Sequence, residues 1–225
     1  MNKLKIITKD GSPSIYLKDI NEYYHSKYGA VSESKYVFIK NGINFWKKNT
    51  PNESSCNIFE MGFGSGLNAI LTYEFSKKNK LKVNYQTIDS NPLAKNEIKF
   101  LDYSKFFNYK DTKIIFDKLH SKSWEEIHLL DKNFYFSKIN KKIQNFNFAT
   151  KYDLVYYDAF GSRAQPELWK EDIFKPIIRS LNNYGVFVTY SSKGDLRRGL
   201  VNLGMTVEKI DGPIGKREMI RAIKI

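Results

Sequence analysis

Residues 57–68 constrain this chain more than any other stretch. Asn57-Ile58-Phe59-Glu60 reads as a short strand and Met61-Gly62-Phe63-Gly64-Ser65-Gly66 as a glycine-rich turn; from Leu67 to residue 75 the apolar side chains fall at helical spacing. A strand that turns through glycines into a helix begins a βαβ unit, and the chain beyond residue 80 keeps the rhythm. Strands are expected at 82–89, 134–139, 152–158 and 186–191, and helices at 92–103, 111–130, 166–181 and 195–203. Pro92 suits a first helical turn, and Trp124, Ile127 and Leu130 fall at three-to-four spacing. Two final strands, 205–210 and 218–225, are joined by a loop too short for a parallel crossover, so they must be antiparallel neighbours. The fold class is therefore α/β, with a mostly parallel sheet ending in an antiparallel pair.

The first fifty residues have a different character. Residues 14–17 and 35–39, the latter holding Tyr36-Val37-Phe38-Ile39, read as short strands, and Asn41-Gly42 as a hairpin turn onto 43–45. Residues 1–50 are expected to form a small β-rich appendage, and residues 51–225 the main domain.

Composition excludes several function classes. No apolar run approaches the ~18 residues needed to span a bilayer, and the start has neither a long apolar core nor a small-residue cleavage site, so a cytoplasmic protein without a signal peptide is expected. The single Cys56 rules out an internal disulfide framework. It precedes the first core strand and reads as an inert thiol. Three scattered histidines make no metal centre. The net charge of +13 favours a polyanionic partner. The excess is mostly lysine, thirty-one against six arginines, as an AT-rich genome alone would also produce. One segment, 152–192, carries −1 while every flanking segment is positive.

The glycine turn carries the first chemistry. Glycines at the end of a strand let backbone approach a ligand closely, and the helix beyond them aims its amides at it. The GxGxG spacing is not the GxGxxG dinucleotide fingerprint, and the Walker lysine is absent. Glu60, just before the turn, would repel phosphates but suits a cationic ligand, and S-adenosylmethionine has an ammonium and a sulfonium and no phosphate. Asp89, at the end of the next strand, can accept hydrogen bonds from two ribose hydroxyls. A ligand-free turn and a helix-capping Asp89 are the plain alternatives.

A second constellation is Tyr152 to Gly161, a strand that closes on Asp158. In an open α/β sheet that carboxyl end faces the ligand crevice; a loop anchor is the alternative. Trp169, Phe174 and Ile177 read as core. Tyr23-Tyr24-His25-Ser26 is suggestive, with His25 read first as structural.

Several spaced motifs resemble one family, the methyltransferase part of the tRNA 5-methylaminomethyl-2-thiouridine biosynthesis proteins, MnmC. Glu33-Ser34 with Tyr36 to Gly42, the run EMGFGSGLN, Asp158-Ala159-Phe160 followed by QPELW, and the closing run from Lys193 through Arg197-Arg198-Gly199-Leu200 and Gly204 to Gly215-Lys216-Arg217-Glu218-Met219 match its pattern in order. The resemblance implies a Rossmann-like methyltransferase fold and S-adenosyl-L-methionine as cofactor, held by Glu60, Gly62, Gly64, Gly66, Asn68 and Asp89. Asp89 stands where the family usually carries Glu, and Gly161-Ser162 where it carries Ala-Pro. No residue near Asn140 is obvious for the adenine amino group.

The implied reaction is methylation of the primary amine of 5-aminomethyl-(2-thio)uridine at the tRNA wobble position. Asp158 would orient the amine and take its proton, and Phe160 would stack on the uracil. Lys193, Arg197, Arg198, Lys216 and Arg217 would bind RNA phosphates. The family's larger members also carry a flavin oxidase with its own GxGxxG, which this chain is expected to lack. A separate flavin oxidase, or the wobble-uridine modification enzymes, would then act upstream. Two rival readings stand beside this one: an aminopropyltransferase of the spermidine-synthase type, against which +13 speaks, and a non-catalytic RNA-binding protein on the same fold.

Overall fold

The computed structural model of the protein describes residues 2–225. The chain opens with a three-stranded antiparallel sheet, β1 (Lys3–Ile7), β2 (Pro13–Leu17) and β3 (Glu22–Tyr23). A continuous helical segment comes next, in which α1 (Ala30–Ser34) passes through a π-helical stretch (Lys35–Ile43) into α2 (Asn44–Asn49).

This helix corrects the expected strand at 35–39 and the Asn41-Gly42 hairpin. Among its buried residues, Ala30, Ser34, Val37, Phe38, Asn41, Gly42 and Trp46 recur every three or four positions. The stripe is concealed in the sequence because Ser34, Asn41 and Gly42 are small or polar. Gly42 is absent from the glycines with positive φ, as a helix requires and a two-residue hairpin does not. A Cβ on Gly42 would lie 2.9 Å from Tyr156 Cε1 and 3.2 Å from Val188 Cγ1, so here the glycine serves close packing of helix on sheet. The β-rich character of the first fifty residues is confined to residues 3–23, and their apolar side chains Ile15, Leu17, Val37, Phe38 and Trp46 belong to the same core cluster as Ile58 and Leu67.

From Ser55 strands and helices alternate: β4 (Ser55–Met61), α3 (Leu67–Asn79), β5 (Lys82–Ile88), α4 (Lys95–Phe100), α5 (Thr112–Ser121), β6 (Ile127–Asp131), β7 (Phe134–Ile139), β8 (Tyr152–Tyr157), α6 (Glu171–Ser180), β9 (Leu181–Thr189), α7 (Gly194–Asn202), β10 (Met205–Asp211) and β11 (Glu218–Lys224). The eight-stranded sheet has the order β10-β11-β9-β8-β4-β5-β7-β6. Its centre, β9-β8-β4-β5-β7, is parallel, and β11 and β10 close one edge antiparallel as expected.

The other edge differs from expectation. The segment expected as one helix over 111–130 is α5 followed by β6, an antiparallel partner of β7. Lys138 decides where α5 stops: its ammonium is buried and donates to the carbonyls of Leu119 (2.9 Å) and His120 (2.8 Å). A cation on the last carbonyls terminates a helix favourably. Of the three residues at helical spacing, Ile127 is then exposed on the edge strand while Leu130 is buried, so the spacing marks no continuous helical face. Pro166–Trp169 forms a separate 3-10 turn before α6, where one helix over 166–181 was expected.

β4 sits between β5 and β8, and it is here that the strand order reverses. Met61 lies opposite Ile88 on one side and Tyr157 on the other. The next residues along these three strands, Gly62, Asp89 and Asp158, are thereby brought to one sheet edge at the switch point, where ligands of open α/β sheets bind.

Gly42→Ala should destabilise the fold by about 1–3 kcal/mol through overpacking against Tyr156 and Val188. Urea unfolding checks this; an unchanged midpoint would mean the helix does not press on the sheet there.

Candidate active site

The glycine turn is built by close backbone approach. Gly62, with φ of 94°, donates to the Ile88 carbonyl at 2.9 Å, and a Cβ on it would meet the Asp158 carbonyl oxygen at 2.8 Å. No side chain fits there, and L residues avoid that φ. Gly64 and Gly66 also have positive φ, and Gly66 is the N-cap of α3.

Asp89 braces the turn from β5. Its carboxylate accepts the Gly64 N–H (2.9 Å) and the Asn91 N–H (2.7 Å). Burial pushes its pKa up, and these two N–H groups oppose that push.

His25 pins the turn from the N-terminal sheet side. Its ring nitrogens contact Ser14 Oγ (2.9 Å) and Ser65 Oγ (3.1 Å). Burial lowers its pKa to about 4, against the pull of Glu33 and Asp10, so the neutral ring is a structural bridge at physiological pH.

Asn68, in the first turn of α3, joins two carboxyl groups. Its Nδ2 donates to Glu60 Oε1 at 3.1 Å and to Asp158 Oδ2 at 2.7 Å. Glu60 is fully buried behind the cavity wall, on the sheet face that carries Tyr85 and Tyr156. Its Oε2, Thr87 Oγ1 and Tyr85 Oη each lack a partner in hydrogen-bond geometry. Burial raises the Glu60 pKa to about 8, opposed by the nearby Thr87 hydroxyl and raised further by Asp158. Asp158 is pushed up to about 7, first by burial, then by the Glu33 carboxylate, while Asn68 and Lys216 pull it down.

The loop after β8 is fixed at three successive residues. Asp158 N–H donates to the Met61 carbonyl (3.0 Å), Tyr190 Oη to the Ala159 carbonyl (2.8 Å) and Trp169 Nε1 to the Phe160 carbonyl (2.7 Å). Trp169 is buried in the core as expected and also anchors this loop. The half-buried Phe160 meets Tyr24 edge-to-face, with centroids 5.1 Å apart.

These elements enclose a cavity of ≈ 850 Å³, within the range of small-molecule sites. Gly62, Gly64, Asn68, Asp89, Asp158 and Phe160 line it; Glu60 and Gly66 do not. Of the five basic residues expected to meet RNA, only Lys216 lines it, paired with Glu33 at 2.9 Å. Lys193, Arg197, Arg198 and Arg217 are exposed. Lys193 hydrogen-bonds Ser162 Oγ, and Arg198 pairs with Asp195.

Sequence reasoning gave no site role to Tyr24, Tyr190 or the Glu33 carboxylate, all of which line the cavity. Tyr190 was findable: it follows β9 as Asp158 follows β8, at the same sheet edge. The contacts of Glu33 depend on a helix that the sequence did not reveal.

The donor set fits an S-adenosylmethionine-like molecule. Asp89 retains acceptor capacity beyond its two N–H contacts, and Asn68 Oδ1 is a buried acceptor without a partner in a residue that lines the cavity.

The family model described as S-adenosyl-L-methionine-dependent methyltransferase matches residues 108–225. The chain belongs to this family. It is 27% identical over 223 residues to the tRNA 5-methylaminomethyl-2-thiouridine biosynthesis bifunctional protein MnmC of Hydrogenovibrio crunogenus, covering 94% of this chain and 32% of that protein. The Campylobacter jejuni protein of the same name is 28% identical over 237 residues, covering 99% of this chain and 36% of that one. This chain therefore spans about a third of the length of these MnmC relatives. An uncharacterised protein of Methanocaldococcus jannaschii is 28% identical, over 96% of this chain and 58% of its own. Among solved structures, MNMC2 from Aquifex aeolicus superposes with a TM-score of 0.76 at 23% identity, covering 98% of this chain and 70% of that one. The methyltransferase fold and an S-adenosylmethionine cofactor are thus established for this protein. Among the described residues no helix is long and apolar enough to cross a membrane.

Glu60 and Asp158 both have folded-state pKa values above their ordinary ones, about 8 against 4.5 and about 7 against 3.8. In that window the folded protein binds more protons than the unfolded chain, so their contribution to stability falls as pH rises from about 4 to about 8. Glu60→Gln should flatten this decline in urea midpoints measured across that range; an unaltered slope would show that Glu60 does not titrate there.

Proposed function

We propose that the protein methylates the primary amine of 5-aminomethyl-(2-thio)uridine at the wobble position of tRNA, giving the 5-methylaminomethyl product. The observation that carries this reading is Asp158: a half-buried carboxylate on the cavity wall, fixed by Asn68 and flanked by Phe160 and Tyr24, in a chain of net charge +13. A carboxylate-lined pocket within a basic protein suits an amine borne on an RNA. The names of the MnmC relatives that match over nearly this whole chain support the same substrate.

S-adenosylmethionine, when bound, supplies a methyl group on a sulfonium, open to attack by a nucleophile. Gly62, Gly64, Asn68 and Asp89 would hold it at the ends of β4 and β5, with Gly66 and Glu60 acting from behind the wall. Asp89 would receive ribose hydroxyls, and Asn68 Oδ1 an N–H of the cofactor.

An alkylamine is mostly protonated at neutral pH, and only its neutral form carries a lone pair. Asp158, with a pKa of about 7, is matched to accepting a hydrogen bond from the amine and removing its proton, directly or through water. Phe160 would stack on the uracil, worth ~1–3 kcal/mol. Lys193, Arg197, Arg198 and Arg217 would contact phosphates, Lys193 being bonded to Ser162, the neighbour of the cavity-lining Gly161. The aminomethyl group would be supplied upstream by a separate flavin oxidase or by the wobble-uridine modification enzymes. A tRNA substrate would put the work in the cytoplasm.

Mass spectrometry of tRNA nucleosides after incubation with labelled cofactor tests the reaction, and a methylaminomethyl product is expected. Asp158→Ala should lower turnover by ~10²-fold or more while calorimetric affinity for S-adenosylmethionine stays within a few-fold. Turnover close to wild type would remove Asp158 from catalysis, and a collapse of cofactor affinity alone would assign it to the cofactor site.

Neutralising Arg197 and Arg217 together should weaken tRNA binding and reduce the dependence of log K on log salt by about 1 per lost phosphate contact. An unchanged salt slope would exclude them from the RNA interface.

A further inference from the structure

Lys216, in the loop between β10 and β11, does not reach outward as a phosphate contact would. Its ammonium lies 2.9 Å from Glu33 Oε1 and 3.6 Å from the centre of the Tyr190 ring. Glu33 is 9% exposed, and its second oxygen accepts the Ser26 N–H at 2.6 Å. Tyr190 is tied to the Ala159 carbonyl, one residue from Asp158. Glu33, Tyr190, Lys216 and Asp158 all line the same cavity.

The charged and polar groups acting on Asp158 come from several elements. Glu60 on β4 and Asn68 on α3 approach from behind, and Glu33 on α1 and Lys216 from the far strand loop. Tyr190 follows β9, and its hydroxyl also feels Asp158, Glu33 and Glu22 of β3. Without Lys216, Glu33 and Asp158 would be two uncompensated carboxylates in one pocket. Two such groups hold a protonated amine more firmly than one, and each raises the other's affinity for protons.

We propose that Lys216 is a positioning residue of the methyl-transfer pocket: paired with Glu33 and laid over the Tyr190 ring, it neutralises the Glu33 carboxylate and leaves Asp158 to face the substrate amine. This inference rests on the amine-methylation reading. It replaces the phosphate-binding role expected of Lys216, and it assigns to Glu33 the task of holding the cation in place. The direction of the Asp158 shift agrees, since Glu33 raises its pKa and Lys216 lowers it. Lys216 favours loss of the amine's proton in two ways: it offsets the hold of Glu33 on an ammonium, and it keeps Glu33 from raising Asp158 further.

The test compares Lys216→Met, Lys216→Arg and the double variant Glu33→Gln/Lys216→Met in two measurements. The first is the titration of the Asp158 carboxyl, followed by isotope-edited infrared difference spectroscopy against Asp158→Asn, which needs no substrate. The second is the pH profile of kcat/KM for methyl transfer to tRNA.

In Lys216→Met the Asp158 titration and the acidic limb of the pH profile should both move up by about one unit or more. Lys216→Arg, which keeps the charge, and the double variant, which removes both charges, should lie near wild type. If Lys216→Met fails to fold, the double variant against wild type and Glu33→Gln alone still decides. Glu33→Gln should lower the Asp158 titration, and adding Lys216→Met should bring it back.

An Asp158 titration that does not move in any variant overturns the inference. So does a Lys216→Met variant that only raises KM and flattens the salt dependence, which is the behaviour of a phosphate contact. If wild-type protein leaves 5-aminomethyluridine tRNA unmethylated, the amine reading fails, while the carboxyl titration still decides whether the pair controls Asp158.

Discussion

The site depends on one close contact, between the backbone of Gly62 and the carbonyl of Asp158. It exists because β4 is flanked by both β5 and β8 in parallel register, so three strands end level with one another. A side chain at Gly62 would force the β4 and β8 ends apart. Asn68 then spans the joint, giving one amide group to the carboxyls of Glu60 and Asp158. The turn that would hold the cofactor and the carboxylate that would face the substrate thus share a hydrogen-bond donor.

The electrostatics of the chain divide between surface and pocket. The excess positive charge is spread over exposed lysines and arginines, while the cavity carries carboxylates, Glu33, Asp89 and Asp158 among them, beside lysines that include Lys216, Lys3 and Lys141. Solvent screens the surface charges over about a Debye length, ~8–10 Å. The pocket carboxyls have lost the water that solvates their charged form, and this is why burial dominates the raised pKa values of Glu60 and Asp158. The same contrast explains why Lys216, at the cavity wall, can do something that Arg217, one residue on and exposed, cannot.

The N-terminal segment is part of the site's construction. His25 braces the glycine turn, Tyr24 covers Gly64 and meets Phe160, and Glu33 holds Lys216. Lys3 pairs with Glu97 of α4 at 3.0 Å, and Glu22 with Arg163 beyond β8 at 3.5 Å. These are part-exposed pairs of small individual worth, yet they tie the segment to both sides of the cavity mouth. None of this was legible locally. The apolar run Tyr36 to Ile39 has equal claim to a strand, and what makes it helix is the stripe of small residues, Ser34, Asn41 and Gly42, that lets it lie against Tyr156 and Val188. The outer edge strand β6 was missed for the complementary reason, although its partner β7 was expected. Ile127 falls at helical spacing with Trp124 and Leu130 yet is exposed, and the stop signal for α5 is not in α5 at all. It comes from Lys138 on β7, 19 residues beyond Leu119 and 18 beyond His120, too far along the chain for any local pattern to record.

By itself the sequence determined the alternation of strands and helices, the glycine turn after the first core strand, and the carboxylates Asp89 and Asp158 at strand ends, because strand-to-helix rhythm and turn chemistry are local properties of the chain. It determined the antiparallel closing pair for the same reason, a loop too short to cross over. Only the tertiary structure decided which groups face the cavity and which stand behind it. Glu60 is buried behind the wall, and Lys216 turns inward to Glu33, 183 residues away in sequence. Contacts over such separations are set by strand order and by packing across the sheet, which no local spacing encodes.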